Sequence, residues 1–144
     1  MAGIRGRLDR TVVLDAEGLA KLAAGDKRAV SFASDAYDAD GELVVAASTL
    51  TEVLRGGPRD ARVHRVLGRI TVVDIEERHG RAAGELLGRA GMSGHRCALD
   101  ALVAVVALAQ PRPVVLLTSD VDDLTRLTEE PGRPRAERVK VARI

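Results

Sequence analysis

Short runs of aliphatic and β-branched residues recur along the chain and predict five strands. The runs are "TVVL" at 11–14, "LVVAA" at 43–47, "ITVV" at 70–73, "VVLL" at 114–117 and the alternating "VKVARI" at 139–144. Continuous apolar runs are typical of strands that are covered on both faces, as in a parallel sheet. The pattern therefore predicts a sheet that is packed on both sides.

The segments between these runs are long enough for crossover helices and predict seven of them. We place these helices at 17–24, 27–39, 49–55, 59–67, 76–90, 94–109 and 121–129, with the clearest loops at "GGPR" (56–59) and "PGRPR" (131–135). Strands that alternate with helices indicate an α/β fold. We therefore expect three layers, α/β/α, around a central, mainly parallel sheet.

One predicted helix contains a carboxylate that needs a partner. The stretch "RCALDALVAVVALAQ", residues 96–110, is apolar on nearly every face and carries Asp100 in its middle. A helix that is apolar all round belongs in a protein interior, where an isolated carboxylate costs several kcal/mol. The candidates for compensation are an ion pair with Arg96, one turn earlier, or a metal ion.

Further acidic residues follow the predicted strands. They are Asp15 after the first run, Glu52 after the second, Asp74 after the third, and Asp120, Asp122 and Asp123 after the fourth. In an open parallel sheet, functional sites lie at the carboxyl ends of the strands. We therefore expect these carboxylates to crowd one edge of the sheet.

Each of these acids also has a purely structural interpretation. Asp15, Asp74 and Asp120 could cap the helices that follow them, and "TLTE" at 49–52 is typical of a capping box in which Glu52 answers Thr49. For Asp74, followed by "IEERHG", we favour the cap. Asp100 lies inside its helix, where no free backbone N–H is available. A cation held jointly by Asp100 and the strand-end acids explains it better, and ligands that are all oxygen select Mg²⁺ or Mn²⁺.

Composition excludes several other functions. The chain has 144 residues, which is the size of one domain. Its formal net charge is +1, so the charge does not indicate a strongly basic surface that binds nucleic acid. Phe32 and Tyr37 are the only aromatic residues, too few for a base-stacking platform. The lone Cys97 is expected to act as a small buried hydrophobe. "MAGIRGRLDR" lacks an apolar segment, and no stretch reaches the length of a membrane span, so we expect one cytoplasmic domain, 1–144.

Four segments together resemble the PIN-domain nucleases, in particular the VapC-like ribonucleases of bacterial toxin–antitoxin pairs. They are "VVLDAEGL", "ASTLTEVLRG", "AAGELLGRAGMSGHRCALDALVA" and "VVLLTSDVDDL", which span nearly the whole chain. The resemblance places the family's catalytic, metal-binding quartet on Asp15, Glu52, Asp100 and Asp120, with Asp123 as a further ligand. The residues that precede the third acid, "GMSGHRCALD", differ from the motif that is usual in the family. This difference affects substrate positioning more than metal binding.

The same resemblance implies a function and partners. It implies a Mg²⁺- or Mn²⁺-dependent endoribonuclease with single-stranded or loop RNA as substrate, a homodimer, and an antitoxin that blocks the site. Thr118 matches a hydroxyl that often precedes the acidic turn, and we assign it to substrate binding. Arg55, one turn after Glu52, could hold a phosphate or pair with that carboxylate, and we favour the phosphate.

Other residues and other functions remain open. His95 lies at a helix start and is expected at the surface rather than as a catalytic base. Arg59, Arg62, Arg65 and Arg69 could follow an RNA backbone, although a solvated face is the default. The alternatives to a nuclease are a non-catalytic interaction module on the same fold, or a phosphate-handling protein such as a receiver or a phosphatase. "DAEG" at 15–18 lacks the second Asp that such a phosphatase needs.

Overall fold

The computed structural model describes residues 10–144; the segment 1–9, which includes most of the N-terminal sequence considered above, lies outside the described residues. The five strands are β1 Thr11–Leu14, β2 Glu42–Ala46, β3 Thr71–Val73, β4 Val114–Thr118 and β5 Lys140–Arg143. The seven α-helices described are α1 Ala16–Ala24, α2 Lys27–Asp38, α3 Leu50–Val53, α4 Ala61–Leu67, α5 Glu77–Ala90, α6 Gly94–Leu108 and α7 Val121–Leu127.

All five strands form one parallel sheet in the order β3-β2-β1-β4-β5. Each strand end lies within about one residue of its predicted position. In β1, β2 and β4 the apolar runs that predict the strands are also the parts that the sheet buries. The central pairing joins Val12 to Val115 and Leu14 to Leu117. The carboxyl ends of all strands therefore meet at one edge, as predicted.

Helices cover both faces of the sheet, which confirms the three-layer α/β/α fold. Val13 and Leu116 pack into a core with side chains of α5, α6 and α7, whereas Val12 and Val45 pack with side chains of α1, α2 and α4. Successive side chains of a strand point to opposite faces. The same alternation therefore supplies both cores, and this is why the central strands carry consecutive apolar residues.

The two edge strands differ from the expectation of complete coverage. Val72 in β3 is 37% exposed, and the ends of β5 at Lys140 and Arg143 face solvent. An edge strand has a neighbour on one side only, so the helices cover it less well. Cys97 packs against the α5–α7 core but is half-buried rather than fully buried.

The predicted helix 49–55 is shorter and divided. A 3₁₀ turn, Ala47–Thr49, leads into α3, and the chain then turns through Gly56 and Gly57 with φ of 86° and 87°. Only glycine adopts this region readily, so the helix ends before the turn. The carboxylate of Asp60, which is 4% exposed, accepts hydrogen bonds from the backbone N–H groups of Arg55 (3.0 Å) and Gly56 (2.7 Å).

The interpretation of Asp74 as a helix cap is wrong. Helix α5 is capped by Glu76, whose side chain accepts from the backbone of His79, while the His79 Nδ1 accepts from the Glu76 N–H at 2.9 Å. A His at the third helical position supplies the reciprocal acceptor of a capping box, which leaves Asp74 exposed two residues earlier.

A charged pair anchors the C-terminal segment to the end of α6. Arg112 forms two hydrogen bonds with the Glu130 carboxylate (2.7 and 2.9 Å), and both side chains are mostly buried. Glu130 also accepts from the Val139 N–H at 3.1 Å, immediately before β5. These bonds hold the pKa of Glu130 below its usual value, with the hydrogen bond from Arg112 as the main cause.

Among the described residues, no single helix is long and apolar enough to cross a membrane. Helices α5 and α6 satisfy the length and composition requirements only when taken together, and they are bent by 116° at their junction. The predicted domain bounds of 1–144 stay a prediction, because the sheet and both cores are described from residue 10 onward.

Candidate metal centre

The predicted acidic residues meet at the carboxyl edge of the sheet. Asp15 directly follows β1, Asp120 follows β4, and Glu52 lies in α3, just after β2. Helix α6 packs against β1, β2 and the 3₁₀ turn that precedes α3. The long crossover through α5 and α6 therefore brings Asp100 to the acids that follow the strands.

Three of these carboxylates are close enough to share one cation. Oxygen atoms of Asp100, Asp120 and Asp123 all lie within 4.8 Å of one another. Asp100 and Asp123 are half-buried and Asp120 is exposed, so the cluster is open on one side. The donor atoms are all carboxylate oxygens, which suits a hard divalent cation such as Mg²⁺ or Mn²⁺ and suits zinc less well.

Asp100 is the electrostatic centre of the cluster. Burial, followed by the charges of Asp120, Asp15, Glu52 and Asp123, raises the pKa of Asp100 from its ordinary 3.8 to about 6. The other four acids proposed from the sequence therefore all act electrostatically on Asp100. Within residues 10–144, no Lys or Arg nitrogen lies within 4.0 Å of the Asp100 carboxylate, so the alternative of an ion pair with Arg96 is wrong.

Asp15 caps a helix and also lies among the acids at the carboxyl edge of the sheet, the two positions that the sequence left as alternatives. The side chain is 7% exposed and accepts a hydrogen bond from the Gly18 N–H at 2.8 Å, which caps α1. Burial raises the pKa of Asp15, while hydrogen bonds from Thr118 and Gly18 oppose this rise. A Cβ atom on Gly18 would lie 3.0 Å from the Leu117 carbonyl oxygen, so glycine lets α1 start close to β4.

The structure corrects the prediction that Thr118 binds substrate. Its side chain is completely buried, and its Oγ1 accepts a hydrogen bond from the Asp120 N–H at 2.8 Å. The same hydroxyl lowers the pKa of Asp15, so it lies beside that carboxylate. Thr118 therefore lies between Asp15 and the Asp120 turn, but it has no surface to offer a substrate.

Glu52 is not part of a capping box. In the described part of the chain, Thr49 makes no side-chain capping bond, and the hydroxyls of Ser48 and Thr49 are buried without a partner. Burial and the charge of Asp15 raise the pKa of Glu52. The absence of the box leaves the Glu52 carboxylate available to the site. The two buried hydroxyls could not be identified from the sequence, because "TLTE" predicts a capping box in which the Thr49 hydroxyl is hydrogen-bonded.

Arg55 does not pair with the Glu52 carboxylate. Its guanidinium donates to the backbone carbonyls of Thr51 (2.9 Å), Leu54 (2.8 Å) and Glu52 (3.1 Å), which end α3. The side chain is exposed, and phosphate binding by Arg55 stays a prediction. The predicted surface position of His95 is confirmed: it is exposed in the first turn of α6, which Ser93 caps.

Comparison with known proteins was made by sequence family and by fold. The family model for the PIN domain matches residues 12–129. No curated protein sequence matches the chain. The structure is similar to a chain in the crystal structure of VapBC2 from Rickettsia felis bound to a DNA fragment from their promoter, with a TM-score of 0.67 and 14% sequence identity. The match covers 93% of this chain and 98% of that chain, and at this identity the likeness concerns the fold.

Proposed function

The chain belongs to the PIN domain family, in which nuclease activity is general, and from this premise we propose that it is a Mg²⁺- or Mn²⁺-dependent endoribonuclease. Asp15, Glu52, Asp100 and Asp120 are its catalytic and metal-binding residues, and Asp123 is a further ligand. Membership of this family argues against the receiver and phosphatase alternatives, which use a nucleophilic Asp.

The observation that carries this proposal is the crowding of carboxylates around Asp100. Like charges at such distances repel by several kcal/mol even at an effective dielectric constant of 20. Burial, together with the charges of the neighbouring acids, raises the pKa of Asp100 to about 6. A site that is unfavourable without a cation and offers only oxygen donors is well matched to Mg²⁺ or Mn²⁺.

When bound there, such a cation supplies positive charge to a phosphodiester and lowers the pKa of water. The residues of the chain do the remaining work. Asp100, Asp120 and Asp123 converge to hold the cation, and Thr118 orients Asp15 relative to the Asp120 turn. Glu52 and Asp15 extend the negative charge toward β1 and β2. We assign no protein nucleophile.

We further propose that the protein is the toxin of a toxin–antitoxin pair, forms a homodimer and acts in the cytoplasm, where RNA is available. The likeness of its fold to a VapBC2 chain supports an antitoxin partner. Single-stranded RNA is the substrate that the sequence resemblance implies.

The decisive experiment compares two neighbouring acids in α7. Asp123 belongs to the carboxylate cluster, whereas Asp122 is exposed and does not contribute to the raised pKa of Asp100. With purified protein, single-stranded RNA and Mg²⁺ or Mn²⁺, we expect cleavage by wild type and by Asp122→Asn, and strong loss of cleavage in Asp123→Asn and Glu52→Gln. EDTA should abolish cleavage by wild type.

Three results would count against the proposal. Cleavage in EDTA equal to that in Mg²⁺ would exclude the metal-dependent mechanism. Cleavage by Glu52→Gln at the wild-type rate would point to a contaminating host ribonuclease. RNA binding without cleavage in any metal would instead favour a non-catalytic interaction module on the same fold.

A further inference from the structure

The segment from Arg55 to Arg69 concentrates positive charge in a chain that is otherwise nearly neutral. It contains five arginines and one acidic residue, Asp60, while the whole chain has a net charge of +1. Asp60 is 4% exposed, and its carboxylate accepts from two backbone N–H groups. The outer surface of this segment is therefore cationic.

Three exposed arginines are spaced three residues apart: Arg59 in the 3₁₀ turn Pro58–Asp60 that precedes α4, and Arg62 and Arg65 in α4. We call them the α4 arginine row. Within residues 10–144, no carboxylate oxygen lies within 4.0 Å of their guanidinium nitrogens. The contrast within the same protein is α5, where Arg78 and Arg81 pair with glutamates at 2.9 and 2.7 Å. The row is therefore a set of free cations.

The elements beside the row do not neutralise it. Helix α1, which packs against α4, carries one exposed acid, Glu17, and one base, Lys21. Arg69, after the end of α4, lies over the ring of Tyr37 with its guanidinium carbon 4.4 Å from the ring centre. Arg69 is thus held by the fold and is kept apart from the row.

The row begins next to the turn that ends α3, the helix that carries Glu52. The backbone N–H groups of Arg55 and Gly56 donate to the Asp60 carboxylate, which ties the start of α4 to the end of α3. Because β2 and β3 are parallel, α4 runs from the carboxyl edge of the sheet back toward its amino edge. A polyanion that follows the row therefore has one end near Glu52.

We propose that Arg59, Arg62 and Arg65 form a surface that binds the backbone phosphates of single-stranded RNA and leads the strand to the acidic edge. This inference rests on the proposed nuclease function and identifies how that site holds its substrate. Guanidinium groups suit phosphate, and contacts to phosphate position a strand without reading its bases. A membrane surface fits less well, because α4 buries its apolar Val63 and offers nothing to insert.

The test measures binding separately from cleavage. A Glu52→Gln background in EDTA keeps the RNA intact, and fluorescence anisotropy of a labelled single-stranded RNA is recorded over a range of KCl concentrations. On single strands each lost phosphate contact reduces the slope of log K against log[salt] by about 0.7. The triple variant Arg59→Gln/Arg62→Gln/Arg65→Gln should therefore lower the slope by about 2 and weaken binding at least tenfold at 0.1 M salt.

The matched control is Arg78→Gln/Arg81→Gln, which removes two exposed arginines that are already paired with glutamates. Its slope should equal that of the parent. Circular dichroism melts of both variants confirm that these surface changes leave the fold intact.

Three outcomes would overturn the inference. The first is a slope of log K against log[salt] in the triple variant that equals that of the parent. The second is an equal loss of slope in the Arg78→Gln/Arg81→Gln control. The third is a triple variant that loses binding to anionic phospholipid vesicles but still binds RNA like the parent. Metal-dependent cleavage by the wild type is measured in a separate assay. If the triple substitution in the otherwise wild-type protein leaves the rate of RNA cleavage unchanged, the row does not hold the substrate, while the proposed nuclease function is still supported.

Discussion

Replacing Asp100 by Asn separates a metal-site acid from a structural one. Asn has nearly the same shape as Asp, so the change removes the charge and leaves the packing of α6 intact. In the metal-free protein at pH 8, the wild-type carboxylate is ionised and repelled by Asp120, Asp15, Glu52 and Asp123. We therefore expect Asp100→Asn to be more stable than wild type under these conditions, while its RNA cleavage is abolished.

The magnitude follows from the pKa of Asp100, which rises from 3.8 to about 6 on folding. A rise of about two units, at about 1.4 kcal/mol each, corresponds to about 3 kcal/mol that favours unfolding once the group is ionised. Solvent that reaches the half-buried carboxylate screens part of this. The expected gain for the variant is therefore about 1 to 3 kcal/mol, or a few degrees to about 10 °C in Tm.

The sign of the pH dependence is fixed by the direction of the shift. Because folding raises the pKa of Asp100, the folded protein takes up a proton as pH falls through about 6. The destabilisation is present above that pH and is lost as pH approaches the unfolded value of 3.8. The advantage of the variant over wild type should therefore be largest at pH 8 and should nearly disappear at pH 4.

The assay is a set of thermal melts in EDTA and in Mg²⁺ at both pH values. At pH 8, Mg²⁺ should raise the Tm of wild type by mass action and should raise that of Asp100→Asn much less. Asp122→Asn, an exposed acid outside the cluster, should behave like wild type in both media. If Asp100→Asn in EDTA loses 3–5 kcal/mol instead, Asp100 holds a buried partner and the metal site is misassigned.

Three other substitutions test the surrounding structure. Thr118→Val removes the hydroxyl that orients Asp15, and we expect cleavage with Mg²⁺ to fall roughly 10–100-fold while the far-ultraviolet circular dichroism spectrum is unchanged. Glu130→Gln breaks the pair with Arg112 and should lower the free energy of unfolding in urea by about 2 to 4 kcal/mol at pH 7. Because folding lowers the pKa of Glu130, that difference should shrink as the pH falls below about 4.5. Asp74→Asn should keep cleavage within a few-fold of wild type, because Asp74 is exposed and does not contribute to the raised pKa of Asp100; a loss as large as that of Asp15→Asn would show that the set of acids is wrong.

The strands, the helices and the layer arrangement could be predicted from the sequence because their signals are local. A strand such as β1 is buried at every position, and its run of one threonine and three aliphatic residues is visible in four consecutive residues. The position of Asp15 after β1 and of Asp120 after β4 placed both acids at one edge, because strands in a parallel sheet end together. Asp100 was identified because a charge inside an apolar helix needs compensation.

The tertiary structure decided what compensates Asp100 and what surrounds it. Arg96 lies one turn away in sequence, yet the charges that act on Asp100 come from the end of β1, from α3, from the β4–α7 turn and from α7. The sequence predicts that Thr118 contacts the substrate, whereas in the folded protein its side chain is completely buried beside the acids. The pattern of hydrophobic and charged residues along a short stretch of the chain indicates which residues are buried and which are charged. The distances between residues far apart in the chain, on which Coulomb repulsion and hydrogen bonding depend, exist only once the sheet and the α5–α6 crossover have formed.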